Sequence, residues 1–415
     1  MDLTVTLRHD AARYAIFKYF WIIALMPKAV QLVLLGLLLC LMVFRTDRKL
    51  QPDGFFWMQV FCLGVYALAI VTNTILYQHA MSRVFAAVNT CGITAVAVIF
   101  YHFYRRITLD YRRLGKYAVI NLLILIGLWL YFRASDKMNL PLLLGRELGE
   151  MDWINGLLDI RFIGFLDYAN LVVFMIIFFY PFAMIYLQHN RLVTLLLTGA
   201  LFLVVEDTNS RTGLILMAVL VLAYVILELQ KSFFNLYKRR RAQTWIFAIL
   251  LVLVGIVVCY DMILAIVDKI ISLRTGSNNM RLYIYGQSMK KLFAESPVIG
   301  VAIKDLLDFG EQQYPLGSHS TYIGMFYKIG LLGGTVYMIS IITVAVSILK
   351  SKDKDRHLLM LKVCIVACFG LMALEDIDGA NWCVCIFYSL LAIVRNPGWN
   401  TEDLPEIKTE ESKKS

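Results

Sequence analysis

A series of apolar runs dominates this sequence and decides what it can fold into: 28–44, 55–77, 84–104, 117–133, 163–187, 192–206, 213–229, 243–263, 321–349, 357–376 and 382–395. Crossing a hydrocarbon core of about 30 Å takes roughly 17–25 apolar residues as a helix. Lipid offers the backbone no hydrogen-bond partners, so each run has to satisfy its own amides and carbonyls. The chain therefore reads as an all-α polytopic membrane protein of about 11 or 12 transmembrane helices in one domain, 1–415. The stretch 11–26 separates the two counts. It carries Arg13 and Lys18 and stops at Pro27, which suits either a short first span or an interfacial helix. With 60% hydrophobic and 17% charged residues, against about 25% charged in soluble domains, a water-soluble globule is excluded.

The net charge of +10 raises the question of nucleic acid, but the Lys and Arg gather on no single face or arm. They follow topology instead. Basic residues in short loops stay in the cytoplasm. The loops 45–54, 105–116, 188–191, 230–242 and 350–356 hold eighteen of them, whereas the intervening short loops hold Arg83 and Arg211. The tail 396–415 then lies inside and is expected to be disordered, and the N-terminus lacks a small-residue cleavage site, so no signal peptide is expected to be removed. All eight cysteines fall in apolar runs, which supports neither a disulfide framework nor a zinc site. No glycine-rich phosphate loop lies on the cytoplasmic side, against an ATP-driven pump.

Two long loops, 134–162 and 264–320, fall on the outer side by the same alternation. Loops of this length are uncommon unless they fold and work. The second contains Leu282, Tyr285, Met289, Leu292 and Phe293 at helical spacing, so one or two helices are expected over the outer mouth of the bundle.

Polar groups at the ends of membrane spans are functional candidates by default. Arg161 and Asn170 flank Gly164 in RFIGFLDYAN; Asn209, Ser210 and Arg211 form an outer turn in EDTNSRTG; Arg281 lies in NNMRLYIYG; His319 lies in PLGSHSTYIG. Guanidinium forks match phosphate oxygens, and a neutral imidazole can take a proton from an attacking hydroxyl. Together they suit an anionic pyrophosphate substrate and a base. The same residues also suit a simpler reading, in which Arg161 and Arg211 reach lipid headgroups or pair with Asp159, Glu206 or Asp207. His319 and Ser320 are merely adjacent, and no Asp completes a hydrolase triad. Asp376 and Asp378 in ALEDIDGANW resemble a metal-holding acidic pair, but two carboxylates on a short turn can also simply be solvated. No metal and no cofactor are expected.

Several of these motifs, in this order, resemble the bacterial O-antigen ligase and O-antigen or capsular polysaccharide polymerase family. The turn TNSRTG at 208–213 is similar to the family's Ser-Arg turn. The large loop follows the family order through Arg281, Tyr285, Pro297, Gly300, His319, Tyr322 and the Gly330-Leu331-Leu332-Gly333 run. The likeness covers roughly residues 160–335. Departures from the family pattern occur at Ala302, Ser320 and Lys328, where a Gly, an Asn and an acidic residue are frequent; they bear on the acceptor more than on the fold.

The resemblance implies a GT-C-like, metal-independent integral-membrane glycosyltransferase in the bacterial inner membrane, with its site on the extracytoplasmic side. The donor would be an undecaprenyl-diphosphate-linked oligosaccharide. Arg211 and Arg281 would hold the diphosphate, His319 would activate the acceptor hydroxyl, and Arg161, Asn170, Ser210, Tyr285, Gly300 and Tyr322 would bind substrate. The leading expectation is a polymerase joining lipid-linked repeat units. A ligase delivering the glycan to lipid A core or another acceptor is the alternative, and a lipid-linked oligosaccharide flippase or secondary transporter the second. The lipid bilayer is the expected environment, and a chain-length regulator and a flippase are the expected partners, with no nucleic acid.

Overall fold

The computed structural model describes residues 12–43, 52–107, 109–138, 140–154, 157–236, 275–309, 312–350 and 356–396. The expected span 243–263 and the tail beyond residue 396 lie outside these. Every other expected span corresponds to a helix, and the protein is an all-α polytopic membrane protein. Among the described residues five helices are long and apolar enough to cross a membrane: α4 (Gly54–Leu76), α5 (Met81–Tyr104), α6 (Tyr111–Ala134), α7 (Ala169–Leu187) and α11 (Thr321–Lys350). The bundle also contains α3 (Lys28–Val43), α8 (Arg191–Asp207), α9 (Arg211–Leu236), α12 (Arg356–Leu374) and α13 (Asn381–Val394).

The 11–26 stretch is not one span. It forms two short helices, α1 (Ala15–Lys18) and α2 (Phe20–Leu25), separated at Tyr19. Both pack inside the bundle, with the Phe20 ring edge-on to Trp382 at 4.9 Å. The last carbonyls of a helix need partners. At α2 they find Gln31, whose side-chain amide donates 2.8 Å to the Met26 carbonyl, and Arg146, which donates 3.2 Å to the same oxygen.

A helix apolar on all sides has to be buried on all sides. Helices α7 and α13 meet that description, and nearly every residue of both is buried. They form the hub around which the others stand. At one end of the bundle Asp53 caps α4 by accepting from the Phe56 amide at 2.9 Å. The same carboxylate binds Arg105 at 2.8 Å and Arg395 at 3.1 Å, tying together the ends of α4, α5 and α13.

The two long loops fold at the other end. The first carries an antiparallel hairpin, β1 (Gly149–Ile154) and β2 (Leu157–Phe162), with Glu150 opposite Arg161. The expected span 163–187 is helical only from Ala169, because Ile163–Tyr168 leave the hairpin as a connection that is buried as far as Leu166. Likewise α12 ends at Leu374, so Glu375 and Asp376 stand in the turn beyond it. The second loop carries α10 (Thr275–Glu295) and a hairpin, β3 (Leu306–Phe309) and β4 (Gln312–Pro315).

The helix α10 was expected from spacing, but its inward face differs. Ile284, Ser288 and Leu292 are buried, whereas Leu282 is 67% and Phe293 56% exposed. A polar residue fixes that rotation. The Ser288 hydroxyl accepts from the Gly317 amide at 2.8 Å and donates to the Ile284 carbonyl at 2.6 Å, which turns its stripe toward the loop.

Candidate active site

Hairpins, turns and helix ends at the loop end enclose a cavity of about 630 Å³. Arg161 from β2, Asn170 from α7, Arg281 from α10 and His319 from the turn before α11 all line it. Segments far apart in sequence thus meet in one concave space.

Arg161 is buried, and each part of its fork is placed. Its Nε donates 2.8 Å to the Thr208 carbonyl, one Nη reaches Asn170 Oδ1 at 3.5 Å, and the other lies 3.7 Å from Glu150. It therefore pairs across its own hairpin, and Asp159 is taken by the Asn209 amide at 3.0 Å. Asn209 stands in the left-handed region at φ +49°, a conformation Asn tolerates better than most residues. Ser210 accepts from the Gly213 amide at 3.2 Å and so caps α9. Arg211, the first residue of α9, is half-buried and is not among the residues lining the cavity.

Arg281 forms a 2.6 Å ion pair with Glu375, and its buried Nε has no hydrogen-bond partner. Burial pushes the Glu375 carboxyl up, and the Arg281 charge works against that rise. His319 also has a left-handed backbone, at φ +62°. Its carbonyl accepts 2.6 Å from the Tyr285 hydroxyl, and its ring lies 6.1 Å from that of Tyr314. Burial raises the Tyr285 phenol, which keeps it a donor. Left-handed backbone outside glycine costs on the order of 1–3 kcal/mol and concentrates at functional sites.

The expected substrate contacts Tyr322 and Gly300 have other neighbours. Tyr322 donates 2.8 Å to the Phe369 carbonyl on α12. Gly300, at φ +89°, closes the Pro297–Gly300 turn against a break in α11 at Gly330. There Leu331 and Leu332 donate to the carbonyls of Pro297 and Val298 at 2.9 and 3.1 Å, and Val301 donates to that of Tyr327 at 2.8 Å. A Cβ on Gly300 would stand 2.5 Å from the Lys328 carbonyl oxygen. The two glycine-bearing motifs therefore serve each other: one supplies the carbonyls that the other's broken helix requires.

Sequence reasoning did not pair the lysines with the acidic turn. Lys304 contacts Asp376 at 2.5 Å and Asp378 at 3.1 Å, and buried Lys328 pairs with Asp378. Burial and the neighbouring Asp378 charge push Asp376 up to about 6. Burial works the other way at Asp378, yet Lys304 and Lys328 hold it well below the usual carboxylate range. Lys304 is raised despite burial, through the same two carboxylates. The acidic pair thus has lysine partners, and among the described residues no group of three or more His, Cys, Asp or Glu is placed to hold a metal ion. One sequence signal was available: Lys328 interrupts the apolar run TYIGMFYKIG, where a charge needs a buried partner.

The segment from α8 through the first part of α11 supplies Arg281 and His319. Residues 192–338 match the family model for O-antigen ligase. None of the curated proteins matches the chain. The matched stretch contains Arg211, Arg281, Tyr285, Gly300, His319 and Tyr322, but only part of the cavity. Arg161, Asn170, Glu375 and Asp376 reach it from outside the matched stretch. The domain supports a ligase-type or polymerase-type glycosyltransferase activity at a membrane.

Proposed function

We propose that the protein is a polysaccharide polymerase of O-antigen or capsule type, acting on the extracytoplasmic side of the bacterial inner membrane. It transfers an undecaprenyl-diphosphate-linked glycan to a sugar hydroxyl of another lipid-linked repeat unit, without a metal. The observation that carries this reading is the convergence of Arg161, Arg281 and His319 on one cavity of about 630 Å³.

In the proposed reaction the acceptor oxygen attacks the anomeric carbon, its proton passes to His319, and the bond to the diphosphate oxygen breaks. The lipid diphosphate leaves with the bonding electrons. Charge grows on that oxygen as the bond lengthens, so cations fixed beforehand stabilise the transition state more than the ground state. Arg281 is aimed by Glu375 and keeps an unused Nε. Arg161 is anchored by the Thr208 carbonyl. Asn170 and Tyr285 act at one remove, through Arg161 and the His319 backbone. The cavity charges sit on loops and helix ends, whereas transporters hold theirs near the bilayer midplane on broken helices.

A ligase that moves the finished glycan to lipid A core or another acceptor is the second reading, favoured by the description of the matched family. Purified protein incubated with lipid-linked repeat units alone separates the two. A ladder of lengths supports polymerisation, and no product until a second acceptor is added overturns it.

A further inference from the structure

The charges around the cavity leave a remainder. Five carboxylates line it, Glu150, Asp167, Glu375, Asp376 and Asp378. Each has a cation of its own: Arg161, Arg146, Arg281, Lys304 and Lys328 respectively. Lys28 and Arg83 also line the cavity, and neither has an ion pair among the described residues. Among those residues they are the cavity's unpaired positive charge.

Their placement is built rather than incidental. Lys28 is the first residue of α3, and Arg83 lies in the first turn of α5. Buried Asn381 fastens the start of α3 to the body of α5: its amide donates 2.7 Å to the Lys28 carbonyl, and its oxygen accepts 3.1 Å from Asn89, about two turns beyond Arg83. Arg281, by contrast, enters from α10 and is spoken for by Glu375. Beside Arg83 the wall is formed by Ala86, Ala87 and Thr90, small side chains that leave room next to the cations. Two cations without counter-ions among the described residues, in a cavity whose other described charges pair off, call for an external dianion.

We infer that Lys28 and Arg83 form a second diphosphate subsite, which holds the lipid diphosphate of the acceptor while Arg281 and Arg161 hold that of the donor. The inference rests on the polymerase reading, because only an enzyme joining two lipid-linked units has to hold two lipid diphosphates at once.

The test counts bound undecaprenyl diphosphate, which carries no sugar and cannot react, by native mass spectrometry of the full-length protein at saturation. Wild type is expected to bind two equivalents, the Lys28→Gln/Arg83→Gln variant one, and the charge-keeping Lys28→Arg/Arg83→Lys variant two. A single equivalent on wild type overturns the inference, and so do two equivalents on the Gln variant. A parallel titration with phosphatidylglycerol separates a lipid headgroup from a diphosphate. If the Gln variant loses phosphatidylglycerol but keeps both diphosphates, the subsite is a headgroup site and the inference falls. Because the probe does not turn over, the outcome is independent of catalysis. A wild-type ladder from repeat units together with one bound equivalent would sink the subsite and leave the polymerase standing. Two equivalents with no ladder would do the reverse.

Discussion

The phenol of Tyr285 donates a 2.6 Å hydrogen bond to the carbonyl of His319, joining α10 to the turn that opens α11. That carbonyl belongs to a residue with φ +62°, so the bond holds the candidate base in a conformation its backbone resists. A net hydrogen bond contributes about 1 kcal/mol. Tyr285→Phe should therefore lower the rate of chain elongation several-fold with little change in the concentration of lipid-linked unit giving half-maximal rate. An unchanged rate in a timed ladder assay would show that the turn holds His319 unaided.

Arg281→Lys keeps the charge and discards the fork. A lysine ammonium is a point charge and cannot engage two phosphate oxygens while holding Glu375. Elongation should fall by roughly tenfold or more, the range of one lost transition-state contact. Turnover at the wild-type rate, measured in proteoliposomes, would argue against a bidentate phosphate contact at this position.

These two positions also show how much the sequence disclosed. Arg281, His319 and Arg161 could be nominated because charge at the edge of an apolar run is costly and therefore visible. Helices were visible for the same reason, as long apolar runs. What stayed hidden depends on contacts between distant segments. The β1–β2 hairpin has polar and apolar residues that fit no helix period, and nothing local indicates that Glu150 meets Arg161. Lys304 and Asp376 are 72 residues apart, so their pairing has no signature in spacing. Lys28 was counted into a membrane span, where its place on the cavity wall could not be read. Gly300 and Gly330 could both be seen as motif glycines, but that their backbones approach each other is a tertiary fact.

Acidification should tighten binding of an anionic substrate through Asp376. Its carboxyl is pushed up to about 6, first by burial and then by Asp378. Above that pH it is charged and answers Lys304; below it Asp376 is neutral and the cavity gains one positive charge. Undecaprenyl diphosphate should then bind more tightly as pH falls through 6, by several-fold more in wild type than in Asp376→Asn. The stability effect has the same sign. The folded state takes up this proton where the unfolded chain, with an ordinary carboxyl near 4, does not. This group's contribution to stability is therefore largest below about 4 and is lost as pH rises toward 6. Equal pH dependence of binding in the two proteins would remove Asp376 as the titrating group.

Ala302 and Gly300 should respond in opposite directions to exchange between alanine and glycine. Ala302 is buried at φ +63°, where a Cβ crowds the backbone. That conformation costs an L-residue roughly 1–2 kcal/mol. Ala302→Gly relieves the crowding, and the gain is reduced by the entropy that glycine brings to the unfolded chain, about 0.5–1 kcal/mol. A small rise in melting temperature is expected. Gly300→Ala meets a harder obstacle, because its φ is +89° and the new Cβ would lie 2.5 Å from the Lys328 carbonyl oxygen. That oxygen is backbone and cannot rotate away. The turn has to leave the break in α11, giving up the bonds from Leu331 and Leu332 to Pro297 and Val298. A loss of several kcal/mol and of elongation together is expected for Gly300→Ala. Thermal unfolding of both variants in the same detergent decides the matter. If Gly300→Ala melts with wild type, the turn and the broken helix do not support one another.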